Sequence, residues 1–126
     1  MLKARNSAAI VAVRDIARAR VFYGETLGLN LAPDSEDDIT VYQTGDTRLV
    51  VYVSEFAGTN KANALVWGVG DEIESIVADL TAKGVVFDHY DIPDATYVEG
   101  IHHMGDFRAA WFREPDGNVL HINSAS

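Results

Sequence analysis

With 126 residues, of which 48% are apolar, the chain is long enough for one globular domain with a hydrophobic core or for two small modules that share one. The lack of cysteine excludes disulfides, thiolate zinc sites and cysteine nucleophiles, and a net charge of −9 without a Lys/Arg cluster predicts no nucleic-acid partner. No apolar run approaches the length of a membrane span and the first residues lack the features of a secretory signal, so we expect a cytoplasmic protein with no membrane contact.

The first half of the chain predicts one helix among four strands. Residues 8–13 (AAIVAV) are a short apolar run typical of a buried strand. Asp15 is a good N-cap for a helix over residues 16–27, and Gly28 can take the left-handed conformation that ends a helix. Three more strands are predicted over residues 29–33, 39–43 and 48–53, with a hairpin turn between the last two.

The pattern starts again after a polar linker over residues 56–63. Residues 64–69 (ALVWGV) read as a strand. Asp71 and Glu74 have the spacing of a capping box, which predicts the start of a second helix. Gly84 ends that helix, and extended structure restarts at residues 85–87.

These signals recur at one offset of 56 positions. It maps Asp15 onto Asp71 and Gly28 onto Gly84, so that strand, aspartate, helix and terminal glycine return together. A repeat of this kind indicates an internal duplication. We therefore predict an α+β fold made of two tandem βαβββ modules, at about residues 7–55 and 63–126, within a single domain over residues 1–126.

The second module carries an insertion over residues 89–105 with three of the four histidines and two tyrosines. A long irregular stretch in a compact domain is usually a lid or a binding loop. Strands are then predicted over residues 107–112 and 119–123, joined by a turn over residues 113–118 that contains Pro-Asp-Gly. The last strand carries His121 at an inward-facing position, where an apolar residue is expected.

Two stretches resemble the signatures of a known family. Residues 11–15, followed by Phe22-Tyr23 and Leu27-Gly28-Leu29, are similar to its first-module pattern. Residues 110–118 (AWFREPDGN) resemble its last hairpin, in which Glu114 replaces the usual aspartate and is expected to be an ordinary turn-flanking charge. The family is the vicinal oxygen chelate superfamily, with glyoxalase I, bleomycin resistance proteins, extradiol dioxygenases and fosfomycin resistance enzymes. The resemblance implies that the modules form a cup of curved sheet.

The resemblance also implies where a divalent metal would be held, namely on the first and last strands of the modules. The corresponding residues here are Ala8, Ala64, His121 and, within one residue, Val51. A lone imidazole does not make a divalent site, which needs three or more convergent ligands. We therefore expect no metal and no cofactor, and none of the glyoxalase, dioxygenase or fosfomycin-transferase chemistries.

Small apolar side chains stand where the resemblance implies ligands. Strand alternation places Ile10 and Val66 on the cup face of the two first strands, and Asn123 shares the face of His121. An apolar cup with one or two polar groups is typical of a small-molecule pocket.

The other candidates have two interpretations each. His102 and His103 are adjacent, so in an extended segment one can enter the cup while the other faces water, and a binuclear site with His121 is also open. Trp111 belongs to the core or to the wall of the ligand site, and Tyr97 and Tyr90 line the cup or lie on the surface. The candidate ligand-binding residues are His121, His103, His102, Trp111, Tyr97, Asn123, Ile10 and Val66.

Two functions follow from these residues. The first is metal-free binding of an apolar, aromatic or cationic small molecule, as the resemblance to bleomycin resistance proteins implies. The acidic charge favours a neutral or cationic ligand, although the same charge also serves solubility. The second is a lyase, isomerase or dioxygenase-like enzyme with His121 as the catalytic base, helped by His102 or His103, or as a ligand if a metal is present. The resemblance further implies a homodimer.

Overall fold

The computed structural model describes residues 1–125, which fall into two compact units that divide between Thr59 and Asn60. The predicted second module reaches residue 126, which lies outside the described residues. Within residues 1–125 there is no helix long and apolar enough to cross a membrane.

The first unit is an open, mixed sheet of four strands with a helix packed on it. Its elements are a 3-10 turn (Leu2–Ala4), β1 (Ala9–Val13), α1 (Ile16–Arg20), β2 (Asn30–Leu31), β3 (Ile39–Thr44) and β4 (Thr47–Val53). The strand order is β1-β4-β3-β2, with β1 parallel to β4 and the other neighbours antiparallel. The predicted strands and the β3–β4 hairpin are confirmed, although β2 is shorter than predicted.

Helix α1 begins as predicted and ends differently. The Asp15 carboxylate accepts a hydrogen bond from the Arg18 amide at 3.1 Å, which confirms the N-cap. After Arg20 the helix widens into a π-helical turn over Val21–Thr26, where the Leu27 amide donates to the carbonyl of Phe22. The wider turn brings two consecutive aromatic residues, Phe22 and Tyr23, into the core. The predicted helix over residues 16–27 is thus present over residues 16–26, with a π-helical second half that the sequence pattern did not indicate.

The second unit is an open, mixed sheet of five strands with one helix. Its elements are β5 (Asn63–Gly68), a 3-10 turn (Gly70–Glu72), α2 (Ile73–Ala82), β6 (Thr96–Val98), β7 (Ile101–Met104), β8 (Phe107–Arg113) and β9 (Val119–Asn123). The strand order is β5-β9-β8-β7-β6, and only β5 and β9 are parallel neighbours. Two such sheets with two helices confirm the predicted α+β class, while the cup that would join the modules stays a prediction.

The two sheets repeat one pairing scheme, in which the first strand lies parallel to the last. Ile10 pairs with Val50 in the first sheet, and Val66 pairs with His121 in the second. Since Ile10 and Val66 are related by the offset of the repeat, Val50 is the counterpart of His121. The prediction had placed the counterpart within one residue of Val51, and the register selects Val50, because Val51 is fully buried on the opposite face.

The insertion is not irregular as predicted, because it contains the hairpin of β6 and β7. Its two-residue turn has positive φ angles of 48° at Glu99 and 91° at Gly100. β7 lies beside β8 as β2 lies beside β3, and β6 is an additional edge strand. The predicted extended segment over residues 85–87 forms only one isolated bridge, between Phe87 and Phe112.

The predicted capping box of α2 is wrong. Neither the 3-10 turn nor α2 has a side-chain hydrogen bond at its N-cap. Asp71 and Glu74 instead bind the guanidinium of Arg108 on β8, with 3.2 Å from Nη2 to the Asp71 carboxylate. The two carboxylates therefore connect the start of the helix to the sheet, a long-range contact that the local spacing does not contain.

Candidate functional site

The register of the second sheet collects the predicted polar and aromatic residues on one face, which we call the His121 face. His121 pairs with Val66 on β5 and with Trp111 on β8, and opposite residues of neighbouring strands share a face. The same register places Asn123 beside Ala109 and His102. The His121 face thus carries six of the predicted site residues: Val66, His121, Asn123, Trp111, His102 and Tyr97.

The hydrogen bonds of His121 define its tautomer. Its side chain is buried, with Nδ1 at 3.0 Å from the carbonyl oxygen of Ala110 and Nε2 at 3.2 Å from Nδ2 of Asn123. A carbonyl oxygen only accepts, so Nδ1 carries the proton. Nε2 is then the acceptor, and the side-chain amide of Asn123 donates to it.

The orientation of that amide is set by the end of the chain. The backbone amide of Ala125 donates to Oδ1 of Asn123 at 3.0 Å, which leaves Nδ2 to face His121. Ala125 passes close to Gly68, where a Cβ would lie 2.7 Å from the carbonyl oxygen of Ala125. A glycine at this position of β5 therefore makes the orientation of Asn123 possible.

The surroundings of His121 favour the neutral imidazole. Burial lowers the pKa of His121 below its ordinary value, and the hydrogen bond to the carbonyl of Ala110 offsets part of that effect. A proton on Nε2 would also face the amide hydrogens of Asn123, donor against donor. At neutral pH His121 is therefore an uncharged group whose two nitrogens are both engaged.

Trp111 is the centre of an aromatic cluster on this face. Its ring stacks on His121 with 4.5 Å between centroids and an angle of 21° between planes. The rings of His102 and Tyr90 meet it edge-on, at 5.1 Å and 5.3 Å. Edge-to-face and offset-stacked pairs are the favourable geometries of aromatic rings, so the cluster holds Trp111 in a defined orientation.

His102 has a structural role in the cluster. It is fully buried, and its Nε2 accepts from the backbone amide of Tyr90 at 2.9 Å while Nδ1 lies 3.3 Å from the carbonyl of Ala109. Both ring nitrogens are thus used within the protein. The imidazole fixes the start of the insertion against the sheet, and Tyr97 packs edge-on against it at 4.9 Å.

The cluster extends to His89, which was not among the candidates, and to Tyr90, which the sequence left between the cup and the surface. His89 stacks on Tyr97 at 3.9 Å, and the Tyr90 hydroxyl donates to the carboxylate of Asp88 at 3.3 Å. The amide of Asp88 in turn donates to the carbonyl of Trp111 at 2.8 Å, which keeps this segment beside β8. The concentration of histidines and tyrosines in residues 89–105 was the sequence signal that could have identified His89 and Tyr90 as part of the site.

His103 lies on the other face of the sheet. It pairs with Thr96 and Arg108, on the side where α2 packs, and lines a groove of about 870 Å³ together with Glu74 and Val77. The inclusion of His103 in one site with His121 is therefore corrected, because adjacent strand residues point to opposite faces. A binuclear centre with His102 and His121 does not fit this arrangement either.

The remaining candidates are apolar. Val66 is 60% exposed beside His121, and Ile10 is 64% exposed at the equivalent position of the first sheet. Exposed aliphatic side chains at both positions agree with a face that is not covered within its own unit. The contribution of Ile10 to a common pocket stays a prediction.

The residues present do not fit the metal that the resemblance implies. Ala8, Val50 and Ala64 offer no donor atom, and Nε2 of His121 accepts from Asn123. Among residues 1–125 there is no group of three or more His, Cys, Asp or Glu side chains that could hold a metal ion. Divalent sites in proteins need such a convergent set.

Glu114 is not an ordinary turn-flanking charge as expected. It is buried, and its Oε1 accepts from the backbone amides of Asp116 and Asn118 at 2.8 Å and 3.0 Å. Burial raises the pKa of its carboxyl, and these two hydrogen bonds oppose that shift. Glu114 thereby closes the turn that precedes the strand of His121.

Comparisons with solved structures give the same fold. The fosfomycin resistance protein FosX from Mesorhizobium loti matches with a TM-score of 0.71 at 10% identity, over 98% of this chain and 93% of its own. A lactoylglutathione lyase from Agrobacterium tumefaciens matches with a TM-score of 0.69 at 14% identity, over 95% of this chain and 92% of its own. A glyoxalase/bleomycin resistance protein from a Streptomyces species matches with a TM-score of 0.58 at 24% identity, over 93% and 99%.

The comparison with family models gives the decisive match. A search of curated proteins finds no match. The model of the Glyoxalase/Bleomycin resistance protein/Dioxygenase superfamily, in contrast, matches residues 6–122, which include both β-sheets and the His121 face except for Asn123, the last residue of β9. The chain therefore belongs to the glyoxalase/bleomycin resistance protein/dioxygenase superfamily.

Proposed function

We propose that this protein binds a planar aromatic small molecule on the His121 face and does not use a metal. The observation that carries the proposal is the stack of Trp111 on the buried, neutral His121, with the exposed Val66 beside it. An aromatic surface with a few oriented polar groups is the composition of most small-molecule sites.

The order of the site supports binding by a preformed surface. Trp111 contacts three other rings, and His121 and His102 use both of their ring nitrogens within the protein. Side chains that are fixed before binding lose little conformational freedom when a ligand arrives. The stacked arrangement therefore favours a flat ligand that adds to the ring cluster.

The alternative function, with His121 as a catalytic base, has less support. Its Nε2 already accepts a hydrogen bond from Asn123, and burial lowers the pKa of the imidazole. A base must reach the proton that it removes, and its strength falls with its pKa. The contacts of His121 therefore favour a role in the wall of a binding site over a role as the proton acceptor of a reaction.

Binding can be followed through the tryptophan of the site. Trp67→Phe removes the other tryptophan, which pairs with Ile122 on the helix side, and leaves Trp111 as the single indole. In this variant we expect aromatic ligands to change the fluorescence of Trp111 and to saturate. The matched control is Trp111→Ala in the otherwise natural chain, which should lose binding in calorimetry while Trp67 remains. Equal binding by both variants would refute the site.

The absence of a metal requirement has its own test. Elemental analysis of the purified protein should give less than stoichiometric zinc, nickel, manganese and iron. Addition of each ion should leave the melting temperature unchanged, because no convergent ligand set stabilises the bound ion. One equivalent of a tightly held metal would overturn this part of the proposal.

A further inference from the structure

We infer that the ligand of the His121 face is a neutral aromatic compound with a carbonyl-type hydrogen-bond acceptor beside its ring, and not a cation. The inference rests on the proposed function and narrows it to one ligand class. It follows from the hydrogen-bonding groups that the protein leaves unused on this face.

The acceptors of the face are already occupied. Nε2 of His121 receives the amide of Asn123, and Oδ1 of Asn123 receives the backbone amide of Ala125 at 3.0 Å. The carboxylate of Asp88, next to the cluster, receives the Tyr90 hydroxyl and Nε of Arg113, each at 3.3 Å. A ligand that only donates would have to displace the amide of Asn123 from Nε2, share Oδ1 of Asn123, or reach past the strands to the carboxylate of Asp88, which Arg113 already neutralises.

Donors, in contrast, remain available. The side-chain nitrogen of Asn123 carries two hydrogens, and one of them points to His121. The indole N–H of Trp111 is a donor with no acceptor among residues 1–125, and the side chain is only half-buried. A ligand acceptor would therefore gain hydrogen bonds without breaking any that the protein makes.

The charges of the face point in the same direction. Strand alternation from Ala109 through Trp111 places Arg113 on the His121 face, and none of the strand residues on this face is an aspartate or glutamate. The net charge of −9 is thus located elsewhere, and Arg113 is balanced by Asp88. A cation would find one carboxylate beside the rings, that of Asp88, which is already paired with Arg113, whereas a carbonyl oxygen would find the N–H groups of Trp111 and Asn123.

Three ligands of one skeleton test the inference: acetophenone, isopropylbenzene and α-methylbenzylammonium. They share a phenyl ring whose attached carbon carries a methyl group, and the third group on that carbon is a doubly bonded oxygen, a second methyl or an ammonium; the attached carbon is planar only in acetophenone. Titration into 15N-labelled Trp67→Phe protein gives the dissociation constants, and the indole N–H resonance of Trp111 reports hydrogen bonding directly. We expect acetophenone to bind at least about fivefold more tightly than the other two, with a downfield shift of that resonance.

The possible results distinguish a failure of the acceptor inference from a failure of the proposed aromatic binding. Equal binding of acetophenone and isopropylbenzene would overturn the acceptor inference and leave aromatic binding intact. Tightest binding of the ammonium compound would overturn it in favour of a cation. No binding of any of the three at millimolar concentration would remove the proposed function as well.

Variants of Asn123 provide the matched controls. Asn123→Leu keeps the size of the side chain and removes the donor, so we expect most of the preference for acetophenone to disappear. Asn123→Asp replaces the donor by a carboxylate and should reverse the preference towards α-methylbenzylammonium. The 15N spectrum of each variant is recorded first to check that the variant is folded. An unchanged preference in the folded Asn123→Leu protein would show that Asn123 does not select the ligand.

Discussion

The unprotonated nitrogen of the His121 imidazole, Nε2, faces a side-chain amide group that can only donate a hydrogen bond to it. Asn123 donates to Nε2, while Nδ1 donates to the carbonyl of Ala110. Protonation would therefore break a hydrogen bond and place a charge in a buried position. The residue that looks most reactive in the sequence is one that the fold keeps neutral.

This arrangement predicts a loss of stability in acid. The pKa of His121 is lowered in the folded chain from its ordinary value of 6.5, so between the two values the unfolded chain binds more protons. The stabilisation is present above pH 6.5 and is lost as the pH falls through the folded pKa. Urea unfolding from pH 8 to about pH 5 measures this slope, and His121→Gln should have a shallower one. Identical slopes would contradict the prediction.

Glu114 has the opposite dependence. Its pKa is raised from 4.5, so the folded chain holds the proton more tightly, and its contribution to stability declines as the pH rises from 4.5 through the folded value. Glu114→Gln retains an acceptor for the amides of Asp116 and Asn118 without a buried charge, and we expect this decline to vanish. Glu114→Ala removes the acceptor and should lower the free energy of unfolding by about 1–3 kcal/mol. Urea unfolding of both variants at pH 4 to 7 checks the two results.

At the scale of elements, the first strand and the end of the chain cooperate to orient the site. Gly68 on β5 leaves room for Ala125, whose amide holds Asn123 in the orientation that faces His121. Asn123 is in turn the residue that engages Nε2. The protonation of one side chain therefore depends on a glycine 53 positions earlier in the chain.

Gly68→Ala should raise the pKa of His121 towards its ordinary value. The new Cβ would lie 2.7 Å from the carbonyl oxygen of Ala125, so the chain end must move and release Oδ1 of Asn123. A freed side-chain amide can turn its oxygen to a protonated imidazole, which stabilises the charged form. An NMR titration of His121 measures the change. Gly24→Ala is the control, since a Cβ there meets no atom within 4 Å, and a similar pKa in both variants would exclude this connection.

Local patterns predicted the elements that local contacts form. Asp15 caps α1, and the strands that flank the β3–β4 turn lie where alternation places them. The capping box at Asp71 failed because Arg108, 37 positions away, competes for its carboxylate. The β6–β7 hairpin was missed because its strands have three and four residues, too short for a periodic signal.

The site was predicted in part. Alternation and the resemblance together selected His121, Trp111 and Asn123, which the register places on one face. They did not decide between His102 and His103, because a shift of one residue exchanges the faces of a strand. The orientation of the Asn123 amide could not be predicted from the sequence, because it depends on a hydrogen bond from the backbone amide of Ala125, and no side-chain pattern indicates that bond.

For the whole molecule, the acidic charge and the uncharged ligand class predict binding that does not depend on salt. Neither the strand residues of the His121 face nor acetophenone offers an unbalanced charge for the net charge of −9 to act on. Raising the salt from about 0.01 M to about 1 M shortens the screening length from about 30 Å to about 3 Å. Calorimetry should give dissociation constants for acetophenone that agree within about twofold. A weakening of tenfold or more would point to an ionic contact.

The repeated pairing of first and last strands also has an evolutionary consequence. The rung of Ile10 and Val50 is entirely aliphatic, whereas its counterpart, Val66 and His121, carries an imidazole that needs the carbonyl of Ala110 and the amide of Asn123. After duplication of one unit, one copy can keep an aliphatic pair between its first and last strands, which needs no polar partners, while the other copy accumulates substitutions. New ligand specificities can thus arise in the second sheet while the first continues to fold unchanged.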